Sequence, residues 1–264
     1  MAEETSTHNV RAVTRALTIL NSFAGKGLQT LAEVTVATGL DKGTTRRLLL
    51  TLMDSGFIAQ DPATQHYRLG RAIRDLAASV ADDLDLKAVA LPVLTELAAD
   101  LHITAFLSIY DEGDVVCLDR IHDMKGIEVH WWAIGGTLAY NCGGAPKLLL
   151  AYQEPEEIER VLKHQPVALT PKSIVDRDQL RDRLAKIRKR GWEFAVDDVT
   201  LGLTALAVPV RSPDGAIVCS ISMAGLTPQM IENGKPVHLK RLQKAAESMA
   251  RRLRLSGGSN RVNR

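Results

Sequence analysis

Between residues 41 and 47 the chain reads DKGTTRR, which sets two hydroxyls and three cations within two helical turns. Lys42, Thr44, Thr45, Arg46 and Arg47 at the start of a helix suit phosphate oxygens and base edges, since forked or charged donors and small hydroxyls are the groups that meet them. A second stretch, Asn141-Cys142-Gly143-Gly144-Ala145-Pro146-Lys147, offers different chemistry. Its two glycines let backbone come close to a ligand, and Pro146 fits the first position of a helix. Free N–H groups and the dipole at that helix start favour a carboxylate or similar anion. The same glycines would also serve a plain tight turn. Cys142 at a helix start could be a thiolate of lowered pKa, with His102, His122 or His130 as a base. No motif ties these groups together, and the seven histidines are scattered. Catalysis is therefore set aside. Thiol or metal sensing through Cys142 or the histidines is kept as the alternative. Cys117, Cys142 and Cys219 are odd in number and form neither CxxC nor Cys–His spacing, so no disulfide framework, zinc site or cofactor is expected.

The elements that must position the first group are legible. Thr30 with Glu33 is a capping box, and Leu31, Val34 and Ala37 follow at helical spacing. Gly39 suits a left-handed helix end. Asp41 is a good N-cap for the next helix, which buries Leu48, Leu49, Leu52 and Met53. Phe57 and Ile58 start a strand, Asp61-Pro62-Ala63-Thr64 turns, and Gln65-His66-Tyr67-Arg68-Leu69 returns. A helix over 9–24, with Val10, Val13, Leu17, Leu20 and Phe23 on one face, supplies a third wall. Two helices joined by a glycine turn and followed by a hairpin make a winged helix-turn-helix, whose second helix enters a major groove. Thr44, Thr45 and Arg46 are assigned to bases, and Lys42, Arg47, His66 and Arg68 to phosphates. Arg11, beside Arg15, belongs to the same basic set.

The 264 residues suffice for two domains, and the hydrophobic fraction of 45% permits a sizeable core. A net charge of +2 gives no general pull on nucleic acid, so affinity must come from these local clusters. The polar N-terminus MAEETSTHNV is unlike a signal peptide. No apolar run approaches the roughly 18 residues of a membrane span. A soluble protein of a reducing compartment, cytoplasmic and without membrane contact, is expected. An alanine-rich linker helix over 71–81 follows, then a helix from Asp85 with Leu86, Val89, Leu94, Leu97 and Leu101 inward and a kink at Pro92. This pair serves either dimer contacts or the cap of the second domain. Strands are predicted at 104–110, 115–121, 127–131, 192–194, 203–210 and 216–222. Helices are predicted at 146–152, 176–190 and 236–255. Alternation sends one of Trp131 and Trp132 inward, for core packing or for an apolar effector. The pattern is α+β with an antiparallel sheet. Boundaries fall at 10–72 for the winged domain, 73–257 for linker helix and second domain, and 258–264 for a flexible tail.

Over nearly its whole length the chain resembles the IclR family of bacterial transcriptional regulators. The segments GLDKGTTRRLLLTLMDSGFI and HYRLG resemble the family's second helix and wing. IGGTLAYNCGGAPKLLLA resembles the loop and helix that shape an effector pocket, and GWEFAVDD, GLTALAVPV and ISMAG resemble its other wall. The resemblance implies a GAF-like effector domain after the winged domain, and dimers or dimers of dimers on palindromic double-stranded operators. It also implies a small organic or aromatic acid as effector, with repression the favoured sign. It places Trp131, Cys142, Gly143, Gly144, Ala145, Asp197, Asp198, Leu203, Ala205 and Ser222 at the pocket. Pro146, Gly144, Ala139, Ala205 and Ala224 depart from the family's usual glycine, alanine, proline, cysteine and second serine, so the effector need not be that of better-known relatives.

Overall fold

The computed structural model describes residues 10–24, 26–77, 81–126, 128–129 and 131–259, with backbone alone at 81–85 and 255–259. The expected disorder of 1–8 and the end of the tail at 260–264 lie outside these residues, as does His130. The chain divides into two compact units, residues 1–81 and 82–264.

In the first unit, α1 (Arg11–Asn21), α2 (Leu31–Thr38) and α3 (Lys42–Asp54) precede a hairpin of β1 (Ile58–Gln60) and β2 (Tyr67–Leu69), then α4 (Arg71–Ala77). The local signals act as expected. Thr30 Oγ1 accepts from Glu33 N–H while the Glu33 carboxylate accepts from Thr30 N–H, which completes the capping box. Gly39 ends α2 in the left-handed region at φ 66°. Ile19, Phe23, Val34, Leu49, Ile58 and Tyr67 form the core. Only part of the predicted α1 face is inside: Phe23 is buried and Leu20 partly so, with Ile19 from outside that face buried beside them, whereas Val10, Val13 and Leu17 are 62%, 55% and 54% exposed. The helix carries two apolar stripes, and the core accommodates one. Gly70 is required by packing, because a Cβ there would lie 2.1 Å from the Gly56 carbonyl oxygen.

The second unit is a six-stranded antiparallel sheet ordered β5-β4-β3-β8-β7-β6. It begins with α5 (Ala81–Leu101), which runs unbroken through Pro92. Ala88 and Pro92 are exposed, so water can take the carbonyl that the proline leaves without a donor, and no break is forced. Then come β3 (Thr104–Asp111), β4 (Asp114–His122), β5 (Thr137–Leu138), α6 (Gly144–Ala151), α7 (Pro155–Leu162), α8 (Arg177–Arg190), β6 (Glu193–Val196), β7 (Leu203–Arg211) and β8 (Ile217–Leu226). The chain closes with α9 (Thr227–Met230), a two-residue pair β9 (Ile231–Glu232) and β10 (Lys235–Pro236), and α10 (Leu239–Ser259). The predicted strand at 127–131 is absent among its described residues. The final helix continues past 255 into the predicted tail.

Strand alternation divides the apolar side chains between two layers. Leu107, Leu206, Val208, Ile221 and Met223 pack under α5 and α10, with Leu94, Leu97, Leu242 and Met249. Phe106, Cys117, Ala207 and Ala224 face the opposite way, toward Leu148, Leu149, Leu180 and Leu184. No described helix is long and apolar enough to cross a membrane.

Candidate functional site

In the first unit the site is α3 and the hairpin. The Asp41 carboxylate accepts from Thr44 N–H at 2.9 Å and starts α3, and hydrogen bonding from the Thr44 hydroxyl, then from its N–H, holds the Asp41 pKa below the usual carboxylate range. The N-terminal turns then present Lys42, Arg46 and Arg47 to solvent, with Thr44 half-buried beside them. Thr45 is a correction. It is fully buried, and its hydroxyl donates to the Asp41 carbonyl at 2.9 Å. Its place in the 3.6-residue repeat turns it toward Leu49, so it supports the helix and has no access to a base. At the hairpin tip, the Asp61 carboxylate accepts from Ala63 and Thr64 N–H groups, each at 2.9 Å. Gln65 takes a left-handed φ of 59°. His66 Nδ1 lies 3.0 Å from the Thr64 carbonyl, and Arg68 is exposed on β2. Arg11 is exposed on α1.

In the second unit every residue from Asn141 to Ala151 is buried. Gly143, at φ 71°, is the N-cap of α6, and Gly144 sits so close to β7 that a Cβ would meet that of Ala207 at 3.1 Å. Gly144 therefore lets α6 pack closely against the sheet. The anion expected at this helix start is the protein's own: Gly143 N–H donates to both carboxylate oxygens of Asp198 at 3.2 Å. Lys147, 2% exposed, donates to the same carboxylate and lies 3.6 Å from Glu193. Glu193, fully buried at the edge strand β6, takes Arg183 at 2.9 Å and also Arg190. Two carboxylates, one lysine and two arginines thus pin α6, α8 and β6 together. Buried charges survive only in such paired sets.

The neighbouring loop is fixed to the same point. Asn141 donates to the Val167 and Ile174 carbonyls and accepts from Val167 N–H. Ser173 donates to the Asp198 carbonyl. Asp197, at φ 60°, accepts from Gly202 N–H and Thr227, so it too serves its loop. Cys142 is fully buried with Sγ against the Val167 carbonyl, and burial together with the Asp198 charge pushes its thiol up to about 11. A buried thiol of raised pKa is the opposite of the lowered-pKa thiolate that thiol sensing would use. Among the described residues no three His, Cys, Asp or Glu gather as a metal site.

The remaining predicted residues share the α6 side of the sheet. Ser222 lies opposite both Phe106 and Ala207, and Ala205 opposite Ala224, with Leu203 and Ala145 packed nearby. Phe106 stacks on Trp131 and Trp132 at 6.2 and 5.9 Å, and the two indoles are parallel within 2°. They do not split inward and outward, because the described residues there form no strand to alternate them. Trp131 Nε1 is buried without a hydrogen-bond partner among the described residues. Sequence reasoning missed Glu193, Arg183 and Arg190, and gave Asn141 and Lys147 no role although it singled out the stretch that holds them. A lone lysine inside the apolar run GAPKLLLA was the one available signal.

A winged helix-turn-helix unit followed by an α+β unit with an antiparallel sheet is the arrangement of a DNA-binding transcriptional regulator. The comparisons agree. Residues 12–62 match the IclR helix-turn-helix domain, and residues 78–251 match the bacterial transcriptional regulator IclR C-terminal domain. The regulator XynR of Escherichia coli is 27% identical, over 92% of this chain and 97% of its own. An HTH-type transcriptional regulator of Mycobacterium tuberculosis is 30% identical over 79% and 80%. The crystal structure of an IclR homologue from Microbacterium hydrocarbonoxydans, complexed with 4-hydroxybenzoate, superposes with a TM-score of 0.79 at 23% identity, over 92% of this chain and 99% of that one. An IclR-type regulator of Alicyclobacillus acidocaldarius gives 0.72 at 26%, over 93% and 99%. This chain belongs to the IclR family of transcriptional regulators, which are not enzymes.

Proposed function

We propose that the protein is a repressor that occupies a palindromic operator as a homodimer or dimer of dimers and leaves it when a small aromatic acid binds. In this reading Thr44 and Arg46 meet base edges, and Lys42, Arg47, His66, Arg68 and Arg11 meet phosphates. The observation that carries it is the exposed cationic start of α3, set beside a hairpin whose tip is held rigid by Asp61. The exposed stripe Val10, Val13 and Leu17 supports pairing of copies through α1, since an apolar face of this kind is usually covered.

The effector class is argued from Trp131. A buried indole N–H with no acceptor is costly, and an acid's oxygen would satisfy it while the stacked rings meet an aromatic body. Ser222 and Ala205 line the same sheet face. The 4-hydroxybenzoate of the Microbacterium homologue is an acid of that class. A ligand of this kind lowers operator occupancy only if it prefers the DNA-free form. The test selects a binding site from random duplexes, then titrates the complex with hydroxybenzoates by anisotropy and calorimetry. Absence of a selected consensus removes the DNA reading, and absence of binding by any aromatic acid removes the effector class.

A further inference from the structure

We infer that the second unit carries another ligand site, for a small organic polyanion, in a groove of about 790 Å³ along the end of α8, β6 and the β10–α10 junction. The proposal does not rest on the effector reading, which concerns the α6 side of the sheet near Trp131. The volume lies within the range of about 300–1,000 Å³ typical of small-molecule sites. Arg183, Arg190, Lys235 and Lys240 border the groove, with Trp192 and Phe194 as its apolar wall.

Among the described residues, the two buried carboxylates Glu193 and Asp198 are the ones ion-paired to these cations and to Lys147, which bridges the two, so five positive charges meet two negative ones. Glu232 sits opposite Lys235 in the β9–β10 register, yet the two make no ion pair among the described residues. The arginines are fixed before any ligand arrives. Arg183 donates through Nε to Glu193 and through Nη2 to the Phe194 carbonyl at 2.6 Å. Arg190 donates through Nε to the Trp192 carbonyl at 2.7 Å, and its guanidinium lies 4.0 Å above the Trp192 ring. Each keeps Nη1 without a protein partner among the described residues. Pre-set forks lose little freedom on binding carboxylates, and two exposed lysines add charge that can close over a bound anion. An excess of three positive charges beside aromatic walls selects a ligand with two or three negative charges and an apolar body. Its charge would compete with Glu193 for the arginines. Through Glu193 and Lys147 it would also reach Asp198 and the start of α6.

Calorimetry and tryptophan fluorescence on the full chain test this, with benzene-1,3,5-tricarboxylate as probe and citrate, benzoate and inorganic phosphate for comparison. Saturable binding is expected for the aromatic tricarboxylate, weaker binding for citrate, and the weakest for benzoate and phosphate. The double variant Lys235→Glu/Lys240→Glu alters only exposed side chains and should weaken the tricarboxylate at least about tenfold with the thermal midpoint preserved. Trp131→Phe should leave that affinity unchanged. Three results overturn the site: no saturable tricarboxylate binding, equal affinity in the lysine variant, or loss with Trp131→Phe alone. A signal that follows protein concentration instead of probe concentration also overturns it, since a second copy would then fill the groove.

Discussion

Replacing Lys147 by Met gives the sharpest test of the buried network. The lysine is 2% exposed, and its nitrogen serves Asp198 and lies 3.6 Å from Glu193. In the variant Glu193 keeps Arg183 and Arg190, but among the described residues Asp198, 5% exposed, keeps only the Gly143 N–H on its carboxylate. Stranding one member of a buried pair costs about 3–5 kcal/mol, whereas replacing both members by neutral groups is often close to neutral. Lys147→Met should therefore lower the stability of the second unit by about 3–5 kcal/mol, and Lys147→Met with Asp198→Asn should recover most of it. At about 2–4 °C per kcal/mol, the single variant should melt on the order of 10 °C lower. Trp131, Trp132 and Trp192 all lie in the second unit, so urea unfolding read by tryptophan fluorescence reports on it alone. A single variant within about 1 kcal/mol of the parent, or a double variant as weak as the single, would refute the argument that the pair is what fixes α6.

The other expectations concern the DNA face, acid stability and the thiol. Arg46→Ala should cost about 1–3 kcal/mol of operator affinity, the worth of a bidentate base contact. Thr45→Val should leave base preference unchanged and lower only the melting temperature, which selection of binding sites with the variant checks directly. Glu157 is held down to about 2 from an ordinary 4.5, first by Arg160 and then by the Tyr110 hydroxyl. A depressed carboxylate stabilises the fold fully above about pH 4.5 and loses that contribution as pH falls through about 2. The gap in urea midpoint between the parent and Glu157→Gln should thus close between those values, and a constant gap would contradict the assignment. With its thiol near 11, Cys142 should resist iodoacetamide at pH 7.5 until urea unfolds the protein. Rapid alkylation of Cys142 in the folded state, read by mass spectrometry, would restore thiol sensing as a contender.

What the chain announced by itself was local. The Thr30–Glu33 box, Gly39, the Asp41 cap and the Asp61 turn each depend on residues within five positions of one another, so their geometry follows from sequence spacing. The strand-like runs at 203–210 and 216–222 likewise predicted strands that do pair, and the order of segments sufficed to suggest the family. Tertiary structure decided the rest, because it depends on partners far along the chain. Asp198 reaches the start of α6 across 51 positions, and no periodicity encodes that pairing. Without it the glycines at 143 and 144 look like a vacant anion cradle. With it the cradle is already filled by the protein's own carboxylate. The same holds for Thr45, whose rotation into the core depends on what α3 packs against, and for Trp131 and Trp132, which stack on Phe106 where a strand would have separated them. Short-range hydrogen bonds are written in residue order, whereas the choice of which charge is buried, and beside what, is made only when distant segments close on one another.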